Sequence, residues 1–117
     1  MANLKLSFAV EGQRLIARPE GLINVLVRDD FYDQVIQQIS TSGINNLVID
    51  LSKVSGLDSS ALGAIFSLYK HLLQDEGSLC LLQPSASVAD LIRITHLEKV
   101  IPVKENLAEL PELESSL

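Results

Sequence analysis

The segment Leu47-Val48-Ile49, bounded by Asn46 and Asp50, restricts the fold more than any other part of the chain. A short apolar run with no in-out alternation is the mark of a strand covered on both faces, usually a central parallel one. Such a strand needs helices against it, and the flanking sequence supplies them. From about Arg28, the residues Phe31, Val35 and Ile39 recur every fourth position among Asp29, Asp30, Asp33, Gln34, Gln37 and Gln38. That spacing predicts a polar helix with one apolar stripe, closed by Thr41, Ser42 and Gly43. On the other side, Ser59 to Gln74 reads as a second helix. Its apolar residues (Leu62, Ala64, Ile65, Phe66, Leu68, Tyr69, Leu72 and Leu73) occupy most of the circumference, so it is expected to be largely buried.

The remaining segments complete an alternating pattern. Leu4, Leu6, Phe8 and Val10 alternate with Lys5, Ser7 and Ala9. A Glu11-Gly12 turn leads into Arg14 to Arg18, which predicts an antiparallel hairpin ended by Pro19 and Gly21. A strand is expected at Leu79 to Leu82 after the polar turn Asp75 to Ser78. A short helix carrying Val88, Leu91 and Ile92 then starts at Pro84-Ser85. Val100 to Val103 reads as a last strand placed at an edge by Pro102, and Glu105 to Leu110 as a final helical turn or two. The order β-β-α-β-α-β-α-β-α predicts one α/β domain over 1–110 and a tail over 111–117. Its mixed β-sheet has an antiparallel N-terminal hairpin and helices packed against it through right-handed crossovers. Partners of such sheets meet the loops at the carboxyl ends of the strands.

Charge narrows the partners. Fifteen acidic and nine basic residues give a net charge of -6, with no basic cluster to neutralise a phosphate backbone, so nucleic acid is not expected. The single cysteine, Cys80, sits inside an apolar run and reads as a small buried hydrophobe. The N-terminal stretch alternates rather than forming an apolar leader core, and no run of about eighteen apolar residues occurs, so a cytoplasmic protein with no membrane segment is expected.

The segment Val54 to Phe66 places a polar knot of Gly56, Asp58, Ser59 and Ser60 where the chain passes into the second helix. Asp and Ser cap helix N-termini, which alone accounts for their presence. Gly63 reads as a point where the second helix approaches the sheet closely. Enzyme chemistry fits poorly. The glycines are misplaced for a nucleophile elbow around Ser59 or Ser60, and His71 and His96 read as surface or loop residues. No lysine follows a glycine as a phosphate loop requires, and clustered metal ligands are absent. Asp50 and Lys104 suggest a phospho-aspartate site, but the first strand ends at Glu11 without an acidic pair to hold Mg²⁺. No cofactor, metal or small-molecule substrate is therefore expected.

In context, the knot resembles the STAS-domain family of bacterial anti-sigma factor antagonists. The matching residues are Leu47 to Ser55, then Leu57-Asp58-Ser59-Ser60-Ala61-Leu62-Gly63, Ile65, Tyr69-Lys70, Gly77, Leu79 to Leu82, and Ile94 to Ile101, with Gly21-Leu22-Ile23-Asn24 near the start. The resemblance implies that Ser59 is phosphorylated by a partner that is both serine kinase and anti-sigma factor. It also implies that a PP2C-type phosphatase removes the phosphate, and that only the unphosphorylated domain binds the kinase partner. Leu57, Asp58, Ser60, Ala61, Leu22 and Asn24 would then lie at the partner surface. Ala61 stands where the family usually has Gly, and Leu22 and Asn24 replace acidic residues, which implies a different partner surface. STAS-like domains also act as signalling scaffolds and as cytoplasmic parts of transporters, where the serine need not be modified.

Overall fold

The computed structural model describes residues 4–110. The hairpin forms as its alternation requires: β1 (Lys5–Glu11) pairs antiparallel with β2 (Arg14–Ile23) through a turn in which Gly12 takes φ 60°. β2 does not stop at Pro19. It pairs in parallel with β3 (Asn46–Asp50) over Arg14 to Ala17, and beyond Pro19 with β4 (Val54–Leu57) over Gly21 to Ile23. The Gly21 amide donates to the Lys53 carbonyl at 2.8 Å, so alternate amides of β2 face its parallel neighbours. Pro19, two residues earlier, faces the gap between β3 and β4, where its missing N–H costs no ladder bond. The hairpin ladder with β1 ends at Glu20, between Pro19 and Gly21 as expected, but β2 itself runs on to Ile23, and β4 is an additional strand.

β3 continues in parallel to β5 (Ser78–Leu82), which pairs with the edge strand β6 (Val103–Lys104). The sheet runs β1-β2-β3-β5-β6, with β4 beside the far end of β2. The last strand is shorter and later than Val100 to Val103. Leu97–Lys99 forms a 3₁₀ turn that buries Ile101, while the Pro102 carbonyl accepts the Leu81 amide at 2.9 Å.

Among the described residues, three α-helices form the connections. α1 (Arg28–Ser42) buries Phe31, Val35 and Ile39, and ends on Gly43 in the left-handed conformation, whose amide donates to the Ile39 carbonyl. α2 (Ser59–Gln74) buries Ala61, Ala64, Ile65, Leu68 and Leu72. α3 (Ala86–Ile94) is capped by Ser85 and buries Val88 and Ile92. Burying an aliphatic side chain is worth about 1.5–3 kcal/mol, so each stripe anchors its helix. Leu15, Ala17, Leu47, Ile49, Leu79 and Leu81 join the helices in one core. The alternate residues Ile16, Val48, Cys80 and Leu82 point to the opposite face, where Leu107 and Leu110 pack. The central strands are thus covered on both faces, by helices on one side and by the C-terminal segment on the other. Burial pushes the Cys80 thiol pKa up, which keeps it neutral.

Gly63 does not mark a close approach. It lies on the exposed side of α2 with open space where a Cβ would stand. The close approach is at Gly77, whose Cβ would strike the Asn45 carbonyl. α2 is also less buried than its composition suggests, because helices form a single layer and among the described residues nothing covers its outer side. Ser59, Gly63, Phe66, Lys70 and Leu73 line that side, with the Lys70 ammonium 5.6 Å from the centre of the Phe66 ring. The expected tail, 111–117, lies outside the described residues.

Candidate functional site

β2 and β4 run in parallel, so the loops leaving them emerge together at one end of the sheet. The first loop carries the chain from Ile23 into α1, and the second is the turn at Asp58 into α2. Asp58 joins the two. Its extended backbone makes it the N-cap of α2, and its Oδ1 accepts the Ala61 amide at 2.9 Å. Its Oδ2 accepts the amide of Val25, 33 residues earlier, at 2.9 Å. The Asp58 amide donates to the Ile23 carbonyl at 3.3 Å. A single carboxylate therefore satisfies one orphan amide of a helix start and one amide of the neighbouring loop.

Asn24 shapes that loop from within: its Oδ1 accepts the Leu26 amide at 3.0 Å and its carbonyl accepts the Val27 amide at 3.1 Å. This is an Asx turn, which Asn and Asp form equally well, so Asn24 keeps the turn and omits the charge. With both ends of the loop bonded, the side chains of Leu22, Val25 and Leu26 are left 54%, 65% and 75% exposed. Leu22 lies across the ladder from Gly56, and a Cβ on Gly56 would come within 3.2 Å of Leu22 Cδ1. These aliphatics border the Asp58 turn.

Ser59 occupies the first position of α2, exposed to solvent, and takes no part in the cap. Ser60 is half-buried one position further into the helix. Leu57 and Ala61, the latter wholly inaccessible, lie beneath the surface and hold the turn from below. Leu22, Asn24, Asp58, Ser59 and Ser60 are thus gathered at one end of the sheet, with Leu57 and Ala61 supporting them. Val25 and Leu26 are the residues that sequence reasoning missed. The run Leu22-Ile23-Asn24-Val25-Leu26-Val27 carried a signal in its near-continuous apolar character, but no period indicates which side chains face outward.

Among the described residues no group of three or more His, Cys, Asp or Glu could hold a metal ion. Asp50, weighed above as a phospho-acceptor, is 3.5 Å from the Arg18 guanidinium and accepts the Ser52 amide at 2.9 Å. Among the described residues no helix is long and apolar enough to cross a membrane.

The chain belongs to the STAS domain family, whose model matches residues 6–110. The anti-sigma F factor antagonist of Paenibacillus polymyxa is 27% identical over 113 residues, covering 96% of this chain and 97% of that one. Among solved structures, that of a Thermotoga maritima protein superposes with TM-score 0.83 at 22% identity over 89% of each chain. The phosphorylated form of the Bacillus cell fate determinant SpoIIAA superposes with TM-score 0.68 at 17% identity, covering 92% of this chain and 95% of that one.

Proposed function

We propose that this chain is an anti-sigma factor antagonist that works as a phosphorylation-switched interaction module in the cytoplasm. The observation that carries the reading is an exposed hydroxyl, Ser59, at the start of α2 beside the exposed aliphatics Leu22, Val25 and Leu26. Unphosphorylated, the surface binds a serine-kinase anti-sigma factor, which then releases its sigma factor. A phosphate on Ser59 adds about 1.5 to 2 negative charges at a helix N-terminus, a position that tolerates an anion. The fold survives, and the cost falls on the interface, where an apolar partner face would have to desolvate a dianion beside Asp58. A PP2C-type phosphatase resets the switch. The module itself carries out no chemistry, and neither nucleic acid, membrane nor a small molecule is its partner.

The test is incubation of the purified chain with candidate serine-kinase anti-sigma factors and ATP, followed by phosphopeptide mapping and affinity measurement. Phosphate is expected on Ser59, with Ser59→Ala binding constitutively and Ser60→Ala behaving as the parent. Phosphate on Ser60 alone would remove Ser59 from the mechanism, and turnover of ATP by the isolated chain would refute the non-enzymatic reading.

A further inference from the structure

Asp58 is the only residue that bonds both loops at this end of the sheet through its side chain among the described residues, and it directly precedes Ser59. We propose that Asp58 is a positioning residue that holds Leu22, Val25 and Leu26 as an apolar docking patch, and that a phosphate on Ser59 acts by breaking its bond to Val25. The inference rests on the reading of Ser59 as the modified residue and deepens it by naming how the charge reaches the surface.

The two oxygens of Asp58 hold unequal partners. Oδ1 serves the Ala61 amide within the local geometry of a helix cap, which the start of α2 maintains on its own. Oδ2 serves the Val25 amide across a separation of 33 residues, in an exposed position. A phosphate on the next residue repels the carboxylate at close range and draws it away from the neighbouring loop. The two bonds are equally short, but the one to Val25 is exposed and spans 33 residues, and it is the one that yields. Asn24 still turns the loop through Leu26 and Val27, so the effect stays local: the patch loses its fixed shape while the fold persists.

The partner that fits is a protein face with a shallow apolar recess rimmed by basic side chains. The aliphatics supply the apolar contact, and Asp58 and Asp30, at the starts of α2 and α1, supply an acidic border, whereas the Asp29 carboxylate is held by the Arg28 guanidinium at 2.7 Å. A chain of net charge -6 favours such a partner further.

Amide hydrogen exchange by NMR on the whole chain tests the coupling without any partner, using protein with phosphoserine incorporated at position 59 during translation, and separately Asp58→Ser. Ser at 58 still caps α2 but presents one short hydroxyl that cannot also reach Val25. In both proteins the Val25 amide is expected to exchange at least about tenfold faster, as loss of a hydrogen bond to a charged group implies. The Ala61 amide of Asp58→Ser is expected to stay protected. Unchanged Val25 exchange in the phosphoserine protein overturns the coupling, even if partner binding is lost. Faster Val25 exchange with partner binding intact leaves the coupling standing and refutes the proposed function instead.

Discussion

α1 and α2 lie on the same face of one sheet, yet their N-termini are held in opposite ways. α2 is capped by the residue that precedes it: Asp58 accepts the Ala61 amide, and the helix start is encoded within four residues. α1 follows Val27, which supplies no side-chain cap; its first turn has only Asp29 and Asp30 to answer the helix dipole. The loop leading into α1 is tied instead by Asn24 from within and by Asp58 from the far side of the molecule's sequence. One helix start is self-sufficient and the other is borrowed. A borrowed start can be released without unfolding the lender, which is what a local switch requires.

Removing the shared group should have the largest effect. Asp58→Ala eliminates a helix cap, worth about 0.5–2 kcal/mol, and a charge-assisted bond to a backbone amide, worth about 1.5–3 kcal/mol. These overlap, so urea unfolding is expected to register a loss of about 2–4 kcal/mol. Asp58→Ser should recover the cap portion alone. A loss below about 0.5 kcal/mol for Asp58→Ala would mean that neither helix start depends on this carboxylate, and the contrast between them would fail.

The same contrast explains what the sequence revealed. α2 was legible to its boundaries because cap and apolar run are adjacent. The hairpin, the stripe of α1 and the unalternated central strand follow from short-range periods in the same way. β4 was not legible: Val54–Leu57 contains Ser55 and Gly56, and it is a strand only because the far end of β2 accepts it. The continuation of β2 through Pro19 was hidden because a proline is tolerated there only by virtue of a gap between two partners. At the site, Ser59 and Asp58 could be named from local pattern and resemblance, whereas the bond from Val25 to Asp58 and the outward turn of Val25 and Leu26 are properties of tertiary pairing. The open outer side of α2 was missed for the same reason, since composition does not say how many layers a fold has.

Charge and apolar surface at the site can be separated by two substitutions read on partner affinity. Ser59→Asp places a carboxylate where the phosphate would stand, and is expected to weaken binding at least about tenfold with little change in stability. Ser59→Ala should stay within about 0.5 kcal/mol of the parent in stability, because Asp58 and not Ser59 caps the helix. Leu26→Ser removes the most exposed aliphatic of the loop and should weaken binding by up to about tenfold, also without a stability cost, since the side chain touches little in the isolated chain. Equal affinities for Ser59→Asp and Ser59→Ala, measured by calorimetry, would show that charge at this helix start does not control docking.

The smallest effect concerns Gly63, one turn into α2 from Ser59. A glycine inside a helix costs about 0.5–1 kcal/mol relative to alanine, through the backbone freedom it loses on folding. Nothing stands within 4 Å of the position a Cβ would take, and the backbone is not in the left-handed region. Gly63→Ala should therefore stabilise the isolated chain by about 0.5–1 kcal/mol, a gain measurable by chemical denaturation. Because the position faces outward on the same side as Ser59 and Phe66, the added methyl is harmless to the fold but not to a surface packed against it. Greater stability together with weaker partner binding would extend the docking surface along the outer side of α2. Greater stability with unchanged binding would confine it to the helix start and the Val25 loop. A loss of stability would mean that the open space beside Gly63 is occupied in solution, and that the outer side of α2 is covered after all.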